Sequence, residues 1–330
     1  MKKLINDVDA ILTESLGGFA RAHGDLVSLS EDPLFVRRRA ATPPGQVALI
    51  SGGGSGHEPM HAGFVGRGML HAACPGQVFT SPTPDQMVGA AEAVDGGAGV
   101  LFIVKNYEGD VMNFDMAAEM APGRTARVLT NDDVAVESSS FTTGRRGVAG
   151  TVIVEKMLGA AAEAGMDLAT LQALGERVNG ATRSMGCALT SCTVPAAGGP
   201  TLQLGEDEME MGVGIHGEPG RRRVALASAA AIVEEMMAAI LGDLGARKGE
   251  DVLLLVNGFG ATPLMELYLV YNEAVRRAEG DGLTVARSLV GNWCTSLDMA
   301  GCSLTLTRLD AETVRLWDAP VHTPAMRWGC

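Results

Sequence analysis

The chain has 330 residues, 46% hydrophobic and 20% charged, with a formal net charge of −13. This is the composition of a folded protein, long enough for two domains and a sizeable core. The negative balance disfavours nucleic acid and anionic membranes as partners, and the longest strongly apolar run, 252–256, is far too short to cross a bilayer. The six cysteines form no C-x-x-C pair, so reduced and mostly buried thiols are expected. Asp7 and Asp9 interrupt any apolar leader, and the cytoplasm is the expected location.

Leu4, Val8, Ile11, Leu12, Leu16 and Phe19 recur at helical spacing and predict an amphipathic first helix. A polar, proline-bearing stretch over 30–45 leads into a strand at 46–51, a glycine-rich loop, and a helix over 59–67 opened by Pro59. A helix at 84–95, a buried strand at 99–104, a loop at 105–110, a helix at 111–121 and a strand at 126–130 follow. This alternation predicts a largely parallel sheet covered on both faces, with ligands outside the carboxyl ends of its strands. Two helices, 148–164 and 167–180, close this half. Beyond 185 the pattern changes to strands at 185–194, 209–215, 251–257, 283–290 and 303–309, with helices at 224–244 and 263–279. The half-polar alternation of 283–290 and 303–309 predicts a mixed sheet with one face more exposed. The reading is α/β with two domains: a three-layer, parallel-sheet domain over 1–184 and a mixed-sheet domain over 185–330.

The chemistry concentrates in two glycine-framed histidine segments. Gly52-Gly53-Gly54-Ser55-Gly56-His57-Glu58-Pro59 follows a strand, where missing side chains let backbone and ligand approach closely. Gly214-Ile215-His216-Gly217-Glu218-Pro219 echoes it far along the chain. His57 is either a loop brace or a ligand-facing group, and His216, in a glycine-framed stretch, favours the ligand-facing reading. Asp110 reads as an N-cap of the following helix or as a site carboxylate. Lys105 reads as an edge lysine or an oxygen-binding cation, and His61 and His71 as surface or structural residues. His57 to His61 is a literal H-E-x-x-H, but it straddles a turn, and Phe64 and Arg67 stand where an extended zinc motif needs Gly and His. No metal site is assigned. Gly212 to Gly217 matches G-x-G-x-x-G without the apolar helix a dinucleotide fold requires. No G-x-x-x-x-G-K-[ST] is present.

Taken together, 51–61, Phe79 to Asp85, Lys105 to Asp110, Thr193 to Ala197, Gly212 to Gly220, Gly260 to Leu264, Thr295 to Met299 and the tail Trp317 to Pro324 resemble the K subunit of dihydroxyacetone kinase. Several independent motifs in order make the resemblance specific, and it covers nearly the whole chain. It implies a homodimer that holds dihydroxyacetone as a hemiaminal on His216, with Gly53, His57, Lys105 and Asp110 around it. Asp110 would be the base and His57 its acidic or stabilising companion. It further implies no cofactor on this chain, with ATP or ADP and magnesium on a separate L subunit, and a possible relay through a phosphotransferase-system M protein. Two alternatives stay open: a ketose-sensing co-regulator without catalysis, and a kinase subunit for another short ketose such as erythrulose. One departure is Asn257-Gly258-Phe259-Gly260, where bacterial relatives are expected to read Asn-Asn-Leu-Gly.

Overall fold

The computed structural model describes residues 2–136 and 144–330, so Met1 lies outside it. Helix α1, Ile11–Ala22, begins later than its apolar spacing suggests: Leu4 is fully exposed, and only Leu12 and Leu16 are buried. A hairpin follows, β1 (Val27–Glu31) and β2 (Leu34–Arg38), where the sequence suggested only a polar lead-in. The apolar runs then form β3 (Ala48–Ser55), β5 (Val100–Lys105) and β6 (Thr125–Thr130), with β4 (Ala72–Val78) beside β3. Strands β4-β3-β5-β6 are parallel, and the hairpin extends them antiparallel through β2.

Side chains alternate across these strands. Ile50, Phe102 and Val104 face the core formed with α2 (Pro84–Val94) and α3 (Glu108–Met120). Leu49, Leu101 and Ile103 face the opposite way, towards α4 (Gly150–Glu163) and α5 (Leu168–Gly180). The helix expected over 59–67 is a single 3-10 turn, Ala62–Phe64. It ends there because the next residue, Val65, is extended, with φ −74° and ψ 114°.

The second sheet runs β11-β10-β7-β14-β12-β13, comprising β7 (Thr182–Ala188), β10 (Glu208–Met211), β11 (Arg222–Ala225), β12 (Asp251–Gly258), β13 (Thr284–Gly291) and β14 (Gly301–Leu309). Only the β12–β13 pair is parallel. Strand β10 stops at Met211, short of 215, because Gly212 turns the chain at φ +80°. A two-strand clip, β8 (Thr193–Val194) and β9 (Gly199–Pro200), lies between β7 and β10. Val252, Leu254 and Val256 pack under α6 (Ala229–Leu244) and α7 (Leu264–Gly280), while Leu253 and Leu255 join the core around α4. Helix α4 is therefore covered from both sheets, and all its residues but Glu163 are buried. Helix α8 (Ala311–Asp318) and a terminal hairpin, β15 (Val321–His322) and β16 (Arg327–Trp328), complete that middle layer.

The alternation of 303–309 does not mark an exposed face. Strand β14 is central, and its hydroxyls are buried against other strands: Thr307 meets Thr182 at 2.9 Å and Thr305 meets Ser184 at 2.7 Å. The segment Asn257-Gly258-Phe259-Gly260 is locally self-consistent, since a Cβ on Gly258 would stand 2.3 Å from Asn292 Oδ1 and Phe259 packs onto Gly186. Among the described residues no helix is long and apolar enough to cross a membrane, and five of the six free cysteines are buried.

Candidate active site

The glycine-rich segment is the end of β3 rather than a loop, and its missing side chains serve close approach. A Cβ on Gly52 would lie 2.5 Å from Cys74 O, one on Gly53 2.1 Å from Lys105 Nζ, and one on Gly54 2.6 Å from the Thr80 backbone N. Gly56 then turns the chain at φ +103° and delivers His57. The imidazole is buried, with Nδ1 2.8 Å from Thr295 O. A carbonyl only accepts, so Nδ1 carries the proton and Nε2 is left as an acceptor, without a partner among the described residues. Burial, and then the facing His216 and Lys105, hold the His57 pKa well below its ordinary value, so the ring is neutral.

Lys105 ends β5 and is not an edge lysine: it is 1% exposed. Its Nζ donates to Gly52 O at 3.0 Å, lies 2.9 Å from His61 Nε2, and is 3.5 Å from Asp110 Oδ2. Asp110 does not cap α3, which starts two residues earlier after Tyr107. It sits inside the first turn, where a carboxylate gains from the helix dipole, and its Oδ1 is buried without a partner.

His216 lies in the glycine-rich turn after β10, walled by ring contacts to Tyr107 at 4.7 Å, Phe79 at 5.1 Å and His57 at 4.8 Å between centroids. Its backbone N donates to Glu218 Oε2 at 2.9 Å, and its Nδ1 faces Glu218 Oε1 at 3.7 Å. Glu58 does the same for the first histidine segment, accepting the Gly56 amide at 3.0 Å. Behind Glu218 stands the fully buried Arg146, 3.7 Å away through Nη1 and bound to Asp133 and to Gly212 O. Burial alone would raise the Glu218 pKa, but His216 and then Arg146 outweigh it and hold the carboxyl at about 2. His216 opens onto a cleft of about 870 Å³ shared with Tyr107, Ser81, Asp110 and Thr201.

The fold thus gathers Gly53, His57, Lys105, Asp110 and His216 from distant parts of the chain. Glu218, Arg146, Tyr107 and Phe79 were not singled out from the sequence. The recurring acid after each histidine, as His57-Glu58-Pro59 and His216-Gly217-Glu218-Pro219, was the available signal for Glu218. His61 is neither surface nor paired with His57 on one helix face: both its nitrogens are engaged, by Glu155 and by Lys105. His71 is also buried and accepts the Leu49 amide on Nδ1 at 3.0 Å. Among the described residues no group of three or more His, Cys, Asp or Glu is arranged to hold a metal ion.

A cleft lined by His216 and Asp110, with His57 against His216 and the buried Lys105 beside Asp110, defines a protein that binds a small oxygen-rich molecule. Residues 17–325 match the Dak1 domain model. The chain is 50% identical, over all of both proteins, to the dihydroxyacetone-binding subunit of the PEP-dependent dihydroxyacetone kinase of Escherichia coli. Among solved structures it superposes on a dihydroxyacetone kinase operon co-activator with a TM-score of 0.89 at 34% identity, covering 94% of this chain and 97% of that one. It superposes on the dihydroxyacetone kinase of C. freundii with a TM-score of 0.88 at 34% identity, covering 99% of this chain and 60% of that one. The chain belongs to the Dak1 family and, within it, to the K subunits of dihydroxyacetone kinase.

Proposed function

We propose that this chain is the ketose-holding subunit of a dihydroxyacetone kinase, binding dihydroxyacetone covalently on His216 and presenting a terminal hydroxyl for phosphorylation. The observation that carries the proposal is the His216 ring, set between three aromatic walls with Nδ1 facing Glu218 and opening onto the same cleft as Asp110. With Nδ1–H turned to Glu218, the Nε2 lone pair is free to attack the ketone carbon. The C–N bond forms as the carbonyl π bond breaks. The alkoxide takes a proton and the Nδ1 proton leaves through Glu218, so the hemiaminal is neutral.

Covalent capture also selects. Glycerol has similar hydroxyls but no electrophilic carbon, and hydrogen bonding alone separates the two poorly. The bond fixes the terminal hydroxyl for in-line attack, and Asp110 Oδ1 takes its proton as the phosphoryl group arrives. His57, with its bare Nε2, accepts from a ketose hydroxyl and gives that proton back. The two halves, 1–184 and 185–330, supply the His57–Asp110 side and the His216 side respectively.

The nucleotide and magnesium sit on a separate L subunit, with either ATP or a phosphotransferase-system M protein as the source of the phosphoryl group. The active form is a cytoplasmic homodimer. The match to a co-activator supports a sensor as the second reading, and erythrulose is the alternative substrate. Retention of Asp110 and His57 favours catalysis, because sensing needs only capture. Turnover with a supplied L subunit and donor tests this: dihydroxyacetone phosphate is expected with the wild type and lost in Asp110→Asn. Capture without any turnover would replace the kinase reading with the sensor.

A further inference from the structure

The buried lysine of the site continues inwards. Lys105 Nζ lies 2.9 Å from His61 Nε2, and His61 Nδ1 lies 2.5 Å from Glu155 Oε1. All three are buried: Lys105 is 1% exposed, His61 6% and Glu155 0%. Glu155 lies on α4, in the layer between the sheets.

Donor and acceptor counting restricts the protons. An ammonium has three donors and no acceptor, and a neutral imidazole has one of each. Lys105 directs its donors to Gly52 O, His61 Nε2 and the Asp110 side. If Lys105 is an ammonium, His61 Nε2 must be bare, its proton must lie on Nδ1, and Glu155 Oε1 must accept it, which either a carboxylate or the carbonyl oxygen of the acid can do. The opposite tautomer would set N–H against N–H at one end unless Lys105 were discharged and Glu155 protonated. Burial pushes the Glu155 carboxyl up to about 8, with Lys105 and then the Ser51 hydroxyl acting against it, so at neutral pH it meets His61 mostly as the acid, through its carbonyl oxygen. Burial, Lys105 and His57 keep His61 itself neutral.

We propose that His61 and Glu155 are positioning residues for the ketose site: His61 Nε2 takes the inward hydrogen bond of Lys105 while Glu155 holds the Nδ1 side of the same ring, which fixes the tautomer that keeps Lys105 beside Gly53 and Asp110. The second histidine of the H-E-x-x-H match thus serves a lysine rather than a metal. The inference rests on the ketose-binding reading above.

Two measurements test it. In wild-type protein with 15N-labelled histidines, the His61 signals, identified by their loss in His61→Gln, should show a protonated Nδ1 and a bare Nε2 at neutral pH. A proton on Nε2 overturns the proposal, and this result needs no variant to retain its site. Ketose capture is then followed by carbon NMR of carbonyl-labelled dihydroxyacetone. His61→Leu and Glu155→Leu should weaken capture roughly 10- to 100-fold, the cost of leaving a buried polar group short of a partner. His61→Gln, whose amide offers one acceptor and one donor, should recover most of the loss. Equal weakening by Gln and Leu would point to packing alone and overturn the proposal. Undiminished capture in His61→Leu would overturn it while leaving the ketose reading intact. No capture by the wild type would remove that reading and this inference with it.

Discussion

Gly53→Ala isolates the role of close approach at the end of β3. An ideal Cβ at this position would stand 2.1 Å from Lys105 Nζ, 3.3 Å from its Cε and 3.5 Å from Asp110 Oδ2. Comfortable contact between such atoms needs roughly 3.5 Å, so the ammonium must retreat by roughly 1 Å or more. Its hydrogen bonds to Gly52 O and His61 Nε2, 3.0 and 2.9 Å long, would then fall outside bonding range. Hydrogen bonds to a charged group contribute about 1.5–3 kcal/mol each. The pair therefore puts the loss of folding stability at roughly 3–6 kcal/mol, with ketose capture weakened at least tenfold. The control is Gly18→Ala on the exposed face of α1, where no atom lies within 4 Å of the added methyl. It should gain about 0.8–1 kcal/mol from helix propensity. Urea midpoints and slopes give the stabilities, and carbon NMR gives capture. A Gly53→Ala protein within about 0.5 kcal/mol of wild type that still captures ketose normally would refute the reasoning.

Arg146→Met should cost about 3–5 kcal/mol, because it leaves the buried Asp133 and Glu218 without their cation; thermal melts check this. Glu218 supplies a pH signature. Its folded value of about 2 lies below the ordinary 4.5, so its contribution is complete above pH 4.5 and is lost as pH falls towards 2. At 1.36 kcal/mol per unit this amounts to about 3 kcal/mol. Denaturant unfolding at pH 7 and pH 3 should show a smaller acid loss in Glu218→Gln than in wild type. A thiol reagent should label one cysteine rapidly in the native protein, the exposed Cys330, and six after unfolding. The buried Cys294 thiol, pushed up to about 12 by burial, is among those expected to stay silent.

Sequence pattern revealed most clearly those elements whose order is local. Strands β3 and β5 are continuous apolar runs, and α4 to α7 carry helical periodicity, so each announced itself. Strand β4, Ala72-Ala73-Cys74-Pro75-Gly76-Gln77-Val78, has small residues and a proline because β3 glycines press against it, a reason that exists only in the folded sheet. The hydroxyls of β14 looked solvent-facing because their partners, Thr182 and Ser184, lie more than a hundred residues away. The two histidine segments stood out by their glycine framing. Glu155, beside Lys156 in a mostly apolar helix, carried no local sign of its bond to His61, and Arg146 none of its bridge between Asp133 and Glu218.

Covalent capture on His216 is the centre of the account, and carbon NMR of carbonyl-labelled dihydroxyacetone tests it most directly. With wild-type protein the ketone signal should be replaced by that of a tetrahedral carbon, and with His216→Ala it should remain a ketone. A ketone signal unchanged in both proteins would contradict the hemiaminal and leave only non-covalent binding at this cleft.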